Sequence, residues 1–280
     1  MMHVSLRFLV LILAPVLALA VATAPISAAE RSRIEAFLKT TGFDVALDSI
    51  ALASSSAPGM LGIDPGDFGS DWTRLTDEVF DTEEMHELAV SILEQTLSDE
   101  ALEHAVDFYA SDLGQRLVEA ENASHMVEDD DAKQLEGQEI VAGLVRDGSP
   151  RVESLKRMNR AIDASGIALK ALQEIQIRFL LAASGAGVID LEMSADELRE
   201  MMRHNEGSMR NALQMSALAG AAYTYKDFSD ADVTAYAEAL EQPLMQEVYE
   251  LLNAVQYEIM AGRFEVLAAR MAELHPAQDI

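Results

Sequence analysis

Methionine and histidine form the first pattern in this chain that could support chemistry. Thioether sulphur and imidazole are ligands that suit Cu(I), and His204 lies among five methionines: Met193, Met201, Met202, Met209 and Met215. Helical geometry separates these side chains, because Met201 and His204 would share one face while Met202 and Met209 would share another. The pattern therefore favours methionine as adaptable core packing over a copper site.

Aspartate supplies a second candidate metal site. Asp64, Asp67 and Asp71 lie in a segment rich in Gly and could coordinate calcium, but their spacing differs from that of an EF-hand loop. The alternative is an ordinary loop between helices, whose aspartates cap the helix that begins near Trp72.

Recognised catalytic motifs are absent from the sequence. It has no His-Glu-x-x-His, Gly-x-Ser-x-Gly, Ser-x-x-Lys or P-loop pattern, and it contains no cysteine for thiol chemistry. His104 with Asp107 and His125 with Asp129 could each share a helix face, but two such pairs do not define a site. The 48 acidic residues could include a catalytic carboxylate pair that sequence cannot select. We predict a protein that is not an enzyme and that carries no metal and no cofactor.

The most distinctive segment of the sequence follows a predicted helix start at Ser98. It reads Phe108-Tyr109-Ala110-Ser111-Asp112-Leu113-Gly114-Gln115. Ser98 precedes two acidic residues, as is typical of a helix N-cap, and Ser111 is placed to cap the next helix. Tyr109 falls on the predicted buried stripe with Phe108 beside it, and Gly114 would allow a close backbone approach. We interpret the segment as a junction between two helices, with an interaction surface on Tyr109 and Gln115 as the alternative.

A weaker copy of this segment recurs in the second half of the chain. Aligned without a gap, residues 97–123 and 228–254 share seven residues, which in the first copy are Ser98, Asp99, Leu113, Gln115, Glu119, Asn122 and Ala123. The sequence that begins at Arg151 also echoes the one that begins at Arg33. We predict an internal duplication with a first lobe over 30–148 and a diverged second lobe over 149–280.

The motif resembles the DUF2059 family of secreted bacterial domains, which carry an acidic helix start and then an aromatic-Tyr-x-Ser-Pro-x-Gly-Gln/Lys turn. Asp112 stands where the family has Pro. The second copy keeps the proline as Pro243 but lacks the Phe-Tyr pair and the glycine, so the first half matches better. The resemblance implies a helical domain of unknown function, and it assigns no catalytic residue.

Helix caps and breakers predict an all-α fold of two similar multi-helix lobes. Strand signals are scarce, because helix-forming Ala, Leu, Glu and Met dominate the composition. A capping box at Ser194 and Glu197 starts one helix, and Ser149-Pro150 starts the second lobe. The predicted helices in the first half cover 31–54 with an interruption at Gly42, 72–80, 82–96, 98–110 and 111–146. Those in the second half include one that ends near 205, then 211–225, 229–241 and 243–274.

Residues 1–29 have the features of a cleaved secretory signal peptide. A short basic start precedes an apolar run from Phe8 to Ala22, and small residues stand before Glu30. The apolar run is shorter than the roughly 20 residues that span a bilayer. We predict cleavage after Ala29, a periplasmic or secreted location, and no stable membrane span after cleavage.

The charge of the chain limits its partners. It has 48 acidic and 20 basic residues and a formal charge of −28, which repels nucleic acid and anionic lipid surfaces. We therefore predict no nucleic-acid partner. Basic residues gather at the boundary between the halves, at Arg146, Arg151, Lys156, Arg157 and Arg160. Our hypothesis is that this basic segment docks on an acidic surface of a neighbouring lobe or protomer, which would allow a homo-oligomer.

Three classes of function follow from these patterns. The leading one is a non-enzymatic envelope protein whose helical lobes present a groove or face to an unknown protein partner. The second is a periplasmic carrier of a small molecule or metal, which would use an apolar cavity between the lobes or the loop at Asp64. The third is an enzyme with a carboxylate pair that the sequence does not reveal.

Overall fold

The structure, a computed structural model, describes residues 28–54, 57–61 and 70–274. Within these ranges every regular element is an α-helix, so the predicted all-α class is confirmed. None of the described helices is both long and apolar enough to cross a bilayer. Asp64, Asp67 and almost all of the predicted signal peptide lie outside the described residues.

The first half contains nine of the described helices. They are α1 (Ala28–Thr41), α2 (Phe43–Asp48), α3 (Ile50–Ala53), α4 (Ala57–Met60), α5 (Ser70–Val79), α6 (Thr82–Thr96), α7 (Asp99–Tyr109), α8 (Asp112–His125) and α9 (Asp130–Arg146). The predicted interruption at Gly42 is confirmed, since this residue has a φ of 73° and separates α1 from α2. Ser98 caps α7 as predicted, and its hydroxyl accepts a hydrogen bond from the Ala101 N–H.

The predicted continuous helix over 111–146 is wrong. α8 ends at His125, and α9 begins after Asp129, whose carboxylate accepts a hydrogen bond from the Ala132 N–H at 2.9 Å. Aspartate is a strong N-cap residue, so a new helix begins after Asp129. The break frees α9 to pack along a helix of the second half.

The second half contains six described helices. They are α10 (Arg151–Ile162), α11 (Ala168–Gly185), α12 (Ala195–His204), α13 (Glu206–Thr224), α14 (Asp230–Leu240) and α15 (Pro243–Met271). The predicted capping box of Ser194 and Glu197 is confirmed at the start of α12. α13 begins at Glu206, five residues earlier than predicted, and α11 has no counterpart among the predicted helices.

One hydrophobic core spans both predicted lobes. α15 of the second half packs against α5, α6 and α7 of the first half, and α13 packs along α9. Buried residues from both sides of the boundary, such as Leu117 and Val248, belong to the same core cluster. The halves 30–148 and 149–280 therefore share a core, while their origin by duplication stays a prediction.

The basic segment at the boundary pairs with acidic residues of its own half. Arg151 lies 2.9 Å from the Asp230 carboxylate, and Arg157 lies 2.6 Å from that of Glu241. Both acids flank or begin α14, against which α10 packs. Docking on the neighbouring lobe is therefore wrong for Arg151 and Arg157, whereas docking of the segment on another protomer stays a prediction.

Candidate functional site: a tyrosine-lined cavity between the halves

The predicted motif lies at the junction of α7 and α8. Ser111 Oγ accepts a hydrogen bond from the Gly114 N–H at 3.1 Å, which confirms the predicted cap. A Cβ atom on Gly114 would lie 2.3 Å from the carbonyl oxygen of Phe108, so the close backbone approach requires glycine. Gln115 Nε2 donates to the Ala110 carbonyl at 3.2 Å. The polar groups of the motif thus hold the junction together locally.

Tyr109 extends from this junction into a cluster of four tyrosines. Its hydroxyl lies 2.8 Å from the Tyr236 hydroxyl and also hydrogen-bonds that of Tyr249. Tyr236 and Tyr249 are 2.9 Å apart at their hydroxyl oxygens, and Tyr225 completes the group. Phe108 stacks on Tyr236 with 5.7 Å between ring centroids. One tyrosine comes from the first half of the chain and three come from the second.

A carboxylate from α8 receives hydrogen bonds from two of these tyrosines. The hydroxyls of Tyr225 and Tyr236 donate to Glu121 Oε1 at 2.6 and 2.8 Å. Burial raises the pKa of Glu121 to about 7, although these two hydrogen bonds act in the opposite direction. Burial also raises the pKa of Tyr225 and Tyr236 well above the usual value, so both hydroxyls keep their protons and donate. We call Glu121 and the four tyrosines the Tyr–Glu cluster.

A cavity of about 440 Å³ opens beside the Tyr–Glu cluster. Glu121, Tyr109, Tyr225 and Tyr249 line it, and the rest of its wall is largely apolar. The apolar side chains come from both halves of the chain and include Phe43, Ala46, Met158, Ile162, Leu213 and Leu252. This central cavity falls in the size range of small-molecule sites, which combine an apolar wall with a few convergent polar groups.

Further polar side chains line the central cavity next to the cluster. Lys133 Nζ lies 2.8 Å from the Asp130 carboxylate, and Asn253 Nδ2 donates to the Ile162 carbonyl at 2.9 Å. Gln134 Oε1 is buried and has no hydrogen-bond partner in the described part of the chain. Leaving such a buried acceptor unpaired costs free energy.

Residues 83–142 match the DUF2059 family. The family model is described as an uncharacterized protein conserved in bacteria, and the matched segment runs from α6 into α9. The predicted resemblance is thereby confirmed for this part of the chain. The DUF2059 segment contributes Tyr109 and Glu121 to the cluster, whereas the other three tyrosines lie outside it. No curated protein and no solved structure matches the chain.

Sequence reasoning found Tyr109 but missed the rest of the Tyr–Glu cluster. Glu121 is separated from Tyr225 and Tyr236 by more than 100 residues along the chain, so no local spacing connects them. The only signal was composition, because the chain has six tyrosines and four of them converge here. Gln115, the other predicted surface residue, lies on a separate cleft with Lys39 rather than on the central cavity.

The methionine pattern does not form a ligand cluster. Met202 is packed in a small core with Ile177 and Leu198, whereas the Met215 side chain is exposed. His204 is exposed, and its Nδ1 atom lies 2.8 Å from a carbonyl oxygen on its own helix. Across the described ranges no group of three or more His, Asp or Glu side chains is placed to hold a metal ion. Asp71, the described member of the predicted calcium loop, pairs with Arg74.

Proposed function

We propose that this protein is a bacterial envelope protein that binds a small organic molecule in the central cavity without catalysing a reaction. The observation that carries the proposal is the cavity itself, in which an apolar wall from both halves meets the Tyr–Glu cluster. Partly buried ionisable groups with shifted pKa values collect at functional sites. The signal-peptide pattern of residues 1–29 supports the envelope location.

Ligand binding in the central cavity would stabilise the whole fold. The cavity is lined by residues of α1, α2, α7, α8 and α9 from the first half and of α10, α13 and α15 from the second. A ligand that contacts both halves binds the folded state alone, and it stabilises that state by mass action. The proposal therefore predicts a rise in the thermal midpoint when the ligand is present.

Native mass spectrometry of the protein purified untagged from a native-like bacterial periplasm tests the proposal. We expect a mature chain that starts at Glu30 and carries an added mass of a few hundred daltons or less. Ala217→Trp would place a bulky ring on the cavity wall and should remove the added mass. Ala212→Trp is the matched control, because Ala212 is also exposed on α13 but does not line the cavity.

Two results together would overturn the proposal. The first is a clean apo mass for the wild-type protein from its native-like host. The second is an unchanged thermal midpoint after the small-molecule extract of that periplasm is added back. Added mass that survives Ala217→Trp would move the ligand to another site.

Protein binding is a second candidate function, supported by exposed apolar side chains on two helices. Leu135 and Val145 on α9 and Met215 on α13 are each at least 60% exposed, and these helices pack along each other. Exposed apolar side chains mark protein contact sites where they form one patch. A native mass spectrum that shows a bound protein in stoichiometric amount, or a second copy of this chain, would support this function. The double variant Leu135→Glu with Met215→Glu should then remove that bound protein. Leu88→Glu, on α6, is the control.

A further inference from the structure

Two acceptor atoms on the wall of the central cavity lack a donor. Glu121 Oε1 accepts both tyrosine hydrogen bonds, and none of the described residues donates to Oε2 of the same carboxylate. Gln134 Oε1, on the neighbouring helix α9, is buried and equally unpaired within the described ranges. A ligand donor placed in the cavity would give Glu121 Oε2 the hydrogen bond that it lacks.

The tyrosine hydroxyls cannot supply the missing hydrogen bonds. Each hydroxyl has a single proton to donate. Those of Tyr225 and Tyr236 go to Glu121 Oε1. The two protons of Tyr109 and Tyr249 serve the contacts that join these hydroxyls to each other and to that of Tyr236. No tyrosine proton is therefore left for the second oxygen of the carboxylate.

No described side chain neutralises the charge of this carboxylate. Lys133, the lysine on the cavity wall, is held by Asp130 at 2.8 Å and donates to the Ser124 carbonyl at 3.3 Å. The described arginines, lysines and histidines form no ion pair with Glu121, and only its two tyrosine partners and burial affect its pKa. Once ionised, this carboxylate therefore has no counter-charge among the described side chains.

The rest of the cavity wall complements a cation that carries an apolar group. The rings of Tyr109, Tyr225 and Tyr249 line the cavity beside Glu121, and aromatic rings attract ammonium groups. Phe43 and Leu213 belong to the apolar part of the same wall. A volume of about 440 Å³ admits an organic molecule larger than a bare ammonium ion.

We infer that the ligand of the central cavity is a small organic amine, whose ammonium group donates to Glu121 Oε2 while its apolar body packs against the apolar wall. The inference rests on the proposed function, because it names the class of ligand for the same cavity.

Isothermal titration calorimetry with phenethylamine and its neutral analogue phenethyl alcohol tests the inference. The titration is run at about pH 8, where a carboxyl with a pKa of about 7 is ionised. We expect the wild-type protein to bind the amine at least about tenfold more tightly than the alcohol. Glu121→Gln should abolish this preference, since it removes the charge and keeps an acceptor for the tyrosines. Glu119→Gln is the control, because Glu119 lies on the same helix and faces the separate cleft.

Each contrary outcome has a distinct meaning. Equal binding of amine and alcohol overturns the inference and leaves small-molecule binding by the cavity intact. An amine preference that survives Glu121→Gln, or that Glu119→Gln removes equally, overturns it as well. Absence of binding for both compounds also overturns it, whereas the mass spectrum of the native protein decides the proposed function independently.

Discussion

The two halves of the chain build the same helix junction with different surroundings. α7 and α14 each contain 11 residues, each follows a serine N-cap, and their bounds coincide when the sequences are aligned. An arginine from a preceding helix meets the first residue of each, Arg33 at Asp99 and Arg151 at Asp230. The repeated sequence signal therefore corresponds to a repeated local structure.

The two junctions differ in how deeply their arginine is buried. The Arg33 side chain is 44% exposed, and its partners are carboxylates at the surface. Arg151 is 9% exposed and also donates to the backbone carbonyls of Phe228 and Tyr225. The repeated pattern is therefore a surface ion pair in the first half and a buried set of hydrogen bonds in the second.

The largest expected effect comes from removing the buried arginine. Arg151→Ala leaves the Phe228 carbonyl and the Asp230 carboxylate without this donor and removes one of two donors to the Tyr225 carbonyl. We expect a loss of about 3 kcal/mol in the free energy of unfolding. Arg33→Ala should cost less than about 1 kcal/mol, because exposed ion pairs contribute little. Urea denaturation of both variants measures the difference. Equal losses would contradict the proposed distinction between the junctions.

The second prediction concerns a position at which the copies differ in charge. The first copy has Glu121 where the second has the buried Leu252. Because the folded state raises the pKa of Glu121 to about 7, it keeps a proton that the unfolded chain releases near its usual pKa. Stability should therefore fall as pH rises through this interval, by up to about 3 kcal/mol.

Glu121→Gln should remove this fall and leave the variant more stable than the wild type at about pH 8. The difference in thermal midpoint between the two proteins is measured from about pH 4 to pH 8. The tyrosines that face this carboxyl do not titrate in this range, because burial raises the pKa of each of them. Parallel pH profiles for the two proteins would refute the assigned pKa.

The third prediction tests the close approach found only in the first copy. Gly114→Ala would place a Cβ atom 2.3 Å from the Phe108 carbonyl oxygen, and we expect a loss of about 1–3 kcal/mol. The second copy has the buried Met245 at the matching position. Gly262→Ala in α15 is the control, since open space surrounds that position and alanine favours the helix. Comparable destabilisation by both substitutions would argue against a specific backbone contact.

The fourth prediction concerns the serine N-caps, which both copies share and whose loss should have a small effect on stability. Ser98 accepts a hydrogen bond from the Ala101 N–H at 3.2 Å, and Ser229 accepts one from the Asp232 N–H at 3.1 Å. Both serines are exposed. Ser98→Ala and Ser229→Ala should each lower the free energy of unfolding by about 1 kcal/mol. A difference between them larger than their experimental error would show that the two caps are not equivalent.

Local signals predicted much of the helix pattern. The bounds of α6 and the caps at Ser98, Ser111 and Ser194 depend on interactions within a few residues, so sequence reveals them. The break before α9 was missed, although Asp129 is itself a local cap. The predicted helix over 111–146 runs through this cap.

The sequence by itself determined the all-α class, most helix starts, the family match at 83–142 and the repeated Ser-Asp junction. Only the tertiary structure decided that the halves share one core, that Arg151 is buried and that Glu121 accepts hydrogen bonds from two tyrosines of the other half. The physical reason is the separation along the chain over which each interaction acts. Helix caps and periodicity act between residues a few positions apart, whereas burial and the pKa of Glu121 depend on side chains that only the folded core brings together.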